Sequence, residues 1–231
     1  MHGVCIFQIN IENPVTMQST ESNQYYTEQQ WHQWLDQLAD NDFVYVDNFL
    51  PDDLYHQVQR YFKLLLNEQE FTKAGIGSSE KRQVKASVRG DFIYWLDQHQ
   101  DEQLSPLFSL FDEVMYNLRQ YLLLGLSDYE FHFALYPPQT RYEKHVVQFH
   151  GKKNRVISML IYLNENWETG DGGELKIYQQ NGKELLIEPL AKRLVLFKSD
   201  SVEHEVMVTN TGRKSLTGWL LRQPAALGQL V

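Results

Sequence analysis

From residue 129 onward the chain carries at least seven short segments of strand texture with no helix-period segment between them: YEFHFALY, RVISMLIYLN, GELKIY, KELLIEP, RLVLFK, HEVMVT and KSLTGWLLR. No other feature restricts the fold so strongly. An open sheet of that many strands would expose unpaired backbone along its edges, so the strands must close as a barrel or stack as two sheets. The expected class is mainly β with supporting α-helices, and the expected core is a double-stranded β-helix, or jelly roll, over about 129–222.

The preceding half reads differently. Residues 27–39, TEQQWHQWLDQLA, set Trp31, Trp34, Leu35 and Leu38 at helical spacing, and Thr27 with Gln30 makes a capping box. FVYVDNFL at 43–50 predicts a strand. Pro51 then takes the first position of a helix whose Leu54, Val58, Phe62 and Leu65 share one face. A third helix starts at Ser105 and Pro106, carries Leu110, Phe111, Val114, Leu118 and Tyr121 on one stripe, and stops at Gly125. These stripes are core-packing supports rather than ligand boxes. Between the second and third helices, FTKAGIGSSEKRQVKAS at 71–87 is rich in Gly, Ser and Lys, and VRGDFIYWL alternates like a strand. The segment 71–88 is either a flap beside a site or a plain surface hairpin. Residues 1–24 are expected to be a weakly ordered extension and 25–231 a single domain, with helical support over 27–124.

Charge and cysteine narrow the function. A formal net charge of -9 over 231 residues argues against nucleic acid or an anionic membrane as the main partner, because either needs a clustered basic surface. Lys152, Lys153 and Arg155 stand close enough in the chain for a local basic patch. With Cys5 as the sole cysteine, intramolecular disulfides are excluded, and a reducing cytoplasm suits the chain. The opening MHGVCIFQINIENP lacks the basic start and sustained apolar stretch of a signal peptide, and no apolar run reaches the ~20 residues of a membrane span.

Three side chains in the β-rich half suggest chemistry. Mononuclear non-haem iron sites use two histidines and one carboxylate on one face, leaving other positions open for a co-substrate and dioxygen. His145, after the turn-rich YPPQTRYEK, and His204, opening HEVMVT, suit the histidine roles. Arg213 follows His204 by nine residues, a spacing that predicts adjacent strands joined across a tight NTGR turn, with the guanidinium facing the barrel interior. Such a guanidinium is the bidentate partner a dicarboxylate needs for its distal carboxylate.

Several stretches in order, VRGDFIYWL, YPPQTRYEKHVVQF, RVISMLIYLNENW with DGGELKIY, IEPLAKRLVLFKSDSVEHEV and RKSLTGWL, give the chain a resemblance over roughly 43–222 to the prolyl 4-hydroxylase branch of the Fe(II)/2-oxoglutarate-dependent dioxygenases, bacterial enzymes similar to the oxygen-sensing prolyl hydroxylases. By that resemblance His145 and His204 are iron ligands, and Arg213 and Tyr162 hold the 5-carboxylate of 2-oxoglutarate. Tyr136 and Trp219 line the co-substrate site, Arg89 and Asp91 contact substrate, and the flap covers a peptide. The implied cofactors are Fe(II) and 2-oxoglutarate, with ascorbate as an auxiliary reductant. The implied reaction couples dioxygen and 2-oxoglutarate decarboxylation to hydroxylation of a prolyl residue in a protein loop, with elongation factor Tu as a candidate partner.

The sequence departs from the family motif His-x-Asp, reading His145-Val146-Val147. Valine fills a similar shape but has no lone pair for a metal, so iron binding and hydroxylation should be severely weakened. Three readings follow: an inactive variant of an active prolyl hydroxylase, a catalytically silent protein that keeps 2-oxoglutarate or peptide binding, and altered chemistry at the vacated iron position. A small-molecule hydroxylase is a further alternative. Gln148 and His150 lie near the gap, but alternation turns Gln148 away from His145, and His150 reads as a surface residue.

Overall fold

The computed structural model describes residues 24–74, 90–147 and 154–222. The expected extension before residue 24, most of the 71–88 flap, and Arg89, Gln148, His150, Lys152 and Lys153 therefore lie outside the described residues.

Helix α1, Glu28–Asn41, opens on the predicted capping box: Gln30 N donates to Thr27 Oγ1 at 3.3 Å and Thr27 N donates to Gln30 Oε1 at 2.9 Å. Strand β1, Phe43–Val46, is shorter than the expected 43–50 because Asn48 turns the chain at φ 54. Phe49 and Leu50 are still buried, but outside regular structure. Pro51 caps helix α2, Asp52–Asn67, one residue earlier than its predicted place inside it. Strands β2, Thr72–Lys73, and β3, Phe92–Trp95, precede helix α3, Ser105–Leu122. Leu123, left-handed at φ 52, ends that helix, and Gly125 lies beyond it. Tyr121 also leaves the buried stripe, and its hydroxyl donates to Glu28 Oε1 at 3.0 Å on the surface.

The remaining strands are β4, Asp128–Tyr136; β5, Tyr142–His145; β6, Arg155–Tyr162; β7, Leu175–Tyr178; β8, Glu184–Ile187; β9, Leu194–Lys198; β10, Glu203–Val206; and β11, Arg213–Leu221. They form two antiparallel sheets, a seven-stranded one in the order β1-β9-β6-β11-β4-β3-β2 and a four-stranded one in the order β5-β10-β7-β8. The jelly roll expected from the sequence is thus present, with one strand, β5, that the sequence reading treated as turn.

Each face of the large sheet has its own core. Phe131, Phe133, Ile157, Met159, Ile161, Leu216 and Leu220 point to the helices and pack with Trp31, Phe62 and Phe111. The alternate residues Ala134, Tyr136, Leu160, Tyr162 and Trp219 point to the small sheet and join Val147, Ile177 and Phe197. This double burial explains why VISMLIYL, Ser158 apart, is apolar on both faces rather than alternating: both faces of β6 are covered. Gly218 sits where the backbones crowd most, since a Cβ there would overlap the Phe131 ring and the Glu130 carbonyl. Glu113 on α3 ties the start of the domain to the core, accepting from Tyr25 N at 2.7 Å, Tyr26 N at 3.2 Å and Trp31 Nε1 at 3.0 Å. No helix among the described residues is long and apolar enough to cross a membrane.

Candidate active site

His145 ends β5 and His204 lies on β10, directly opposite it in the register of the small sheet. Their ring centroids are 4.4 Å apart. Tyr142 stacks on His145 at 3.9 Å, and Phe197 of the large sheet lies 4.6 Å from His204. Each Nδ1 points at a backbone carbonyl, His145 at Glu143 O (2.7 Å) and His204 at Val202 O (3.0 Å). A carbonyl only accepts, so both Nδ1 atoms carry hydrogen, the tautomer that outer-sphere carbonyls impose on ligating histidines. Burial, and then the neighbouring His145, push the His204 pKa down to about 3, so this imidazole stays neutral.

Arg213 is not placed as the sequence suggested. β10 pairs with β5 and β7, whereas β11 pairs with β4 and β6, so His204 and Arg213 belong to different sheets. The intervening residues do not close on themselves as a hairpin. Met207 N donates to Glu174 O, Thr209 N to Thr140 O and Asn210 N to Asp171 O, which spends the backbone groups on other loops and carries the chain from one sheet to the other. The guanidinium nevertheless reaches the interior, with Arg213 only 2% exposed. It lies between the rings of Tyr136 (5.1 Å) and Tyr162 (4.9 Å), which β4 and β6 supply from either side of β11.

Arg213 Nε and Nη2 and the Tyr162 hydroxyl are buried with no hydrogen-bond partner among the described residues. A buried cation with two idle donors is costly unless an anion completes it. The residues therefore fit a carboxylate-bearing ligand. Burial raises the Tyr162 pKa, which keeps the phenol protonated as a donor.

Among the described residues the metal half is incomplete. Val147, 6% exposed, belongs to the same inter-sheet core as Tyr136, Tyr162, Phe197 and Trp219. Among the described residues no three His, Cys, Asp or Glu side chains are arranged to hold a metal ion. Two imidazoles suit Fe(II), but the donor set falls short of two histidines and a carboxylate.

Trp219 lies on the inward face of β11 and packs under the Arg155 guanidinium at 3.5 Å. Two neighbours escaped the sequence reading: His132, at 5.6 Å from Trp219, and Trp95, at 4.7 Å from His132 and 43% exposed. The signal for His132 was strand alternation, which puts it on the face of Ala134 and Tyr136. Asp91 is fully buried just before β3, and its carbonyl accepts from Ala74 N at 2.9 Å.

Residues 131–221 match the 2OG-Fe(II) oxygenase superfamily. The chain is 32% identical over 188 residues to the prolyl hydroxylase EGLN3 of Homo sapiens, covering 77% of each protein. It is 31% identical over 191 residues to the hypoxia-inducible factor prolyl hydroxylase of Caenorhabditis elegans, of which it spans only 26%. The crystal structure of a Pseudomonas putida prolyl-4-hydroxylase superposes with a TM-score of 0.76 at 36% identity, covering 84% of this chain and 99% of that one.

Proposed function

We infer the activity from one premise: the chain belongs to the prolyl hydroxylase branch of the 2OG-Fe(II) oxygenases, whose cofactors are Fe(II) and 2-oxoglutarate. Its proposed reaction is hydroxylation of a prolyl residue in a protein. Fe(II) with 2-oxoglutarate supplies the oxidising chemistry in this family, and the protein's part is to bind, orient and exclude water. Arg213 and Tyr162 hold the distal carboxylate, Tyr136 and Trp219 wall the pocket, and His145 and His204 are the imidazoles offered to the metal. The observation that carries this reading is the convergence of those two tautomer-fixed imidazoles and the two idle donors of Arg213 on one inter-sheet interior.

The substrate is proposed to be a proline in a protein loop; the Caenorhabditis elegans relative is named as a prolyl hydroxylase of a protein, hypoxia-inducible factor. Elongation factor Tu is the candidate to test, with Arg89 as a substrate contact, ascorbate as auxiliary reductant and the cytoplasm as the compartment. The expected contact by Asp91 is at odds with its complete burial. Val147 in place of the acid should reduce turnover by more than the ~10–100-fold typical of losing a mere outer-sphere partner. The chain is therefore read as an impaired member of an active lineage.

Incubating elongation factor Tu with Fe(II), 2-oxoglutarate and either the wild type or Val147→Asp tests this by mass spectrometry. Val147→Asp should add the mass of one oxygen atom to a prolyl peptide, with far less product from the wild type. No product from Val147→Asp counts against the impaired-enzyme reading. The second reading, a silent dicarboxylate-binding protein, is favoured by the completeness of the Arg213 pocket. It predicts 2-oxoglutarate binding without turnover in both forms.

A further inference from the structure

A groove of about 1410 Å³ runs along helix α2, larger than the ~300–1,000 Å³ of a small-molecule pocket and so of a size for a length of chain. Tyr25, Pro51, Leu66 and Pro106 supply apolar lining, and Arg60, Lys63 and Lys214 supply cations. Arg60 and Lys63 lie one turn apart on the exposed face of α2, and the Lys214 ammonium stands 5.9 Å from the Phe62 ring. Lys214 alternates with Arg213 along β11, which puts the groove on the opposite side of the large sheet from the inter-sheet site. Lys144, Lys176, Lys192 and Lys198 each have a carboxylate partner, whereas Arg60, Lys63 and Lys214 have no ion pair among the described residues. Asp53 and Glu165 also line the groove, so cations outnumber acids there although the chain as a whole carries a net charge of -9.

The chain enters the described structure at this groove. The Tyr25 hydroxyl donates to Pro106 O at 3.0 Å and its backbone N–H to Glu113 Oε2 at 2.7 Å, which pins Tyr25 in the wall. What precedes it in sequence suits the lining. Residues 1–23 contain Glu12 and Glu21 and no Lys or Arg. VCIFQINI at 4–11 is apolar except for Gln8 and Asn10, a composition that argues for burial rather than solvation. Phe7, Ile9 and Ile11 alternate with Gln8, Asn10 and Glu12, so an extended chain would turn three apolar side chains to one side. Residues 7–12 measure about 20 Å when extended, against about 21 Å for residues 53–67 of α2. Residues 13–23 can span about 36–40 Å, which brings the whole groove within reach.

We propose that residues 7–12 of this chain, rather than trailing in a weakly ordered extension, dock in extended form in the groove along α2. Phe7, Ile9 and Ile11 lie on Tyr25, Pro51, Leu66 and Pro106, and Glu12 and Glu21 answer Arg60, Lys63 and Lys214. Because the segment is tethered, it meets the groove at an effective concentration of ~mM, so contacts too weak to hold a free peptide suffice.

The sole cysteine, Cys5, lets a nitroxide be attached beside the segment in the full chain, and paramagnetic broadening of amide NMR signals tests the proposal. Signals of residues 53–67 should lose most of their intensity and regain it when the nitroxide is reduced, while those of β8, on the small sheet, keep theirs. Arg60→Glu combined with Lys63→Glu should abolish the loss, and so should Phe7→Asp combined with Ile9→Asp. Unchanged β8 shifts report that each variant is folded, and the wild-type measurement depends on no substitution. Absence of broadening over residues 53–67, or broadening centred on another surface, overturns the proposal and leaves the groove to a different occupant. Broadening that survives either pair of substitutions overturns the contacts assigned to it. Broadening of a nitroxide-free, isotope-labelled chain mixed with nitroxide-bearing chain assigns the groove to a second copy and overturns docking within one chain.

Discussion

Restoring an acid at position 147 should make folding stability depend on metal, and the size of the effect follows from the burial of that side chain. Val147 is 6% exposed in the inter-sheet core. Exchanging its two methyls for a carboxylate forfeits about 1.5 kcal/mol of apolar burial, at ~0.8 kcal/mol per buried carbon. An unsatisfied buried polar group adds about 1–3 kcal/mol. Metal-free Val147→Asp should therefore be less stable than wild type by about 2.5–4.5 kcal/mol, a Tm lower by roughly 5–18 °C at ~2–4 °C per kcal/mol for a chain of this size. Mn(II), an ion of similar ligand preference, at about a hundred times its Kd for Val147→Asp should return ~2.7 kcal/mol. If the missing ligand weakens metal binding by at least 10–100-fold, the same Mn(II) concentration stabilises the wild type by only about 0.4–1.4 kcal/mol. Differential scanning calorimetry of both forms with EDTA and with Mn(II) measures all four states. Equal Mn(II)-induced rises in the two proteins, or a Val147→Asp form as stable as wild type in EDTA, would refute the placement of residue 147 at the metal. The outcome does not depend on finding the right substrate.

Two further tests address the scaffold. Gly218→Ala forces a methyl against the Phe131 ring and the Glu130 carbonyl on the central strand β11, so it should cost at least the ~1–3 kcal/mol typical of overpacking, read as a lower urea midpoint. Glu113→Ala leaves Tyr25 N, Tyr26 N and Trp31 Nε1 without their acceptor and should destabilise by about 2–4 kcal/mol, with Glu113→Gln losing less because one amide oxygen remains to accept.

Which parts of this molecule could be read in its sequence depended on how local their causes are. The α1 capping box involves residues three apart, so Thr27 and Gln30 announced it directly. The strands of the large sheet carry enough β-branched and aromatic residues to be seen, and the requirement to close their edges led to two stacked sheets. β5 was missed because Tyr142–His145 is a four-residue polar strand, half-buried along its length, whose order comes from pairing with β10 rather than from its own composition. The stop of α3 was misplaced for a related reason: Leu123 takes a left-handed conformation usually left to glycine, so Gly125 drew the boundary too far. The NTGR segment has the composition of a hairpin turn. Its partners, though, are Glu174, Thr140 and Asp171, which only the folded chain brings near.

That last misreading bears on function, because the sheet to which each group belongs decides which losses the site can survive. The imidazoles come from the small sheet, each aligned by a carbonyl two residues before it on its own segment. The side chains proposed to bind the anion come from β4, β6 and β11 of the large sheet, where Tyr136, Tyr162 and Ser215 contact Arg213. Had His204 and Arg213 shared a hairpin, a change beside one would strain the other. On separate sheets, a valine at the proposed ligand position 147 leaves the guanidinium's surroundings unaltered. If the proposed roles hold, a chain built this way can lose turnover and retain its carboxylate pocket, so co-substrate binding should respond to substitution of Arg213 and metal-linked stability to substitution of residue 147.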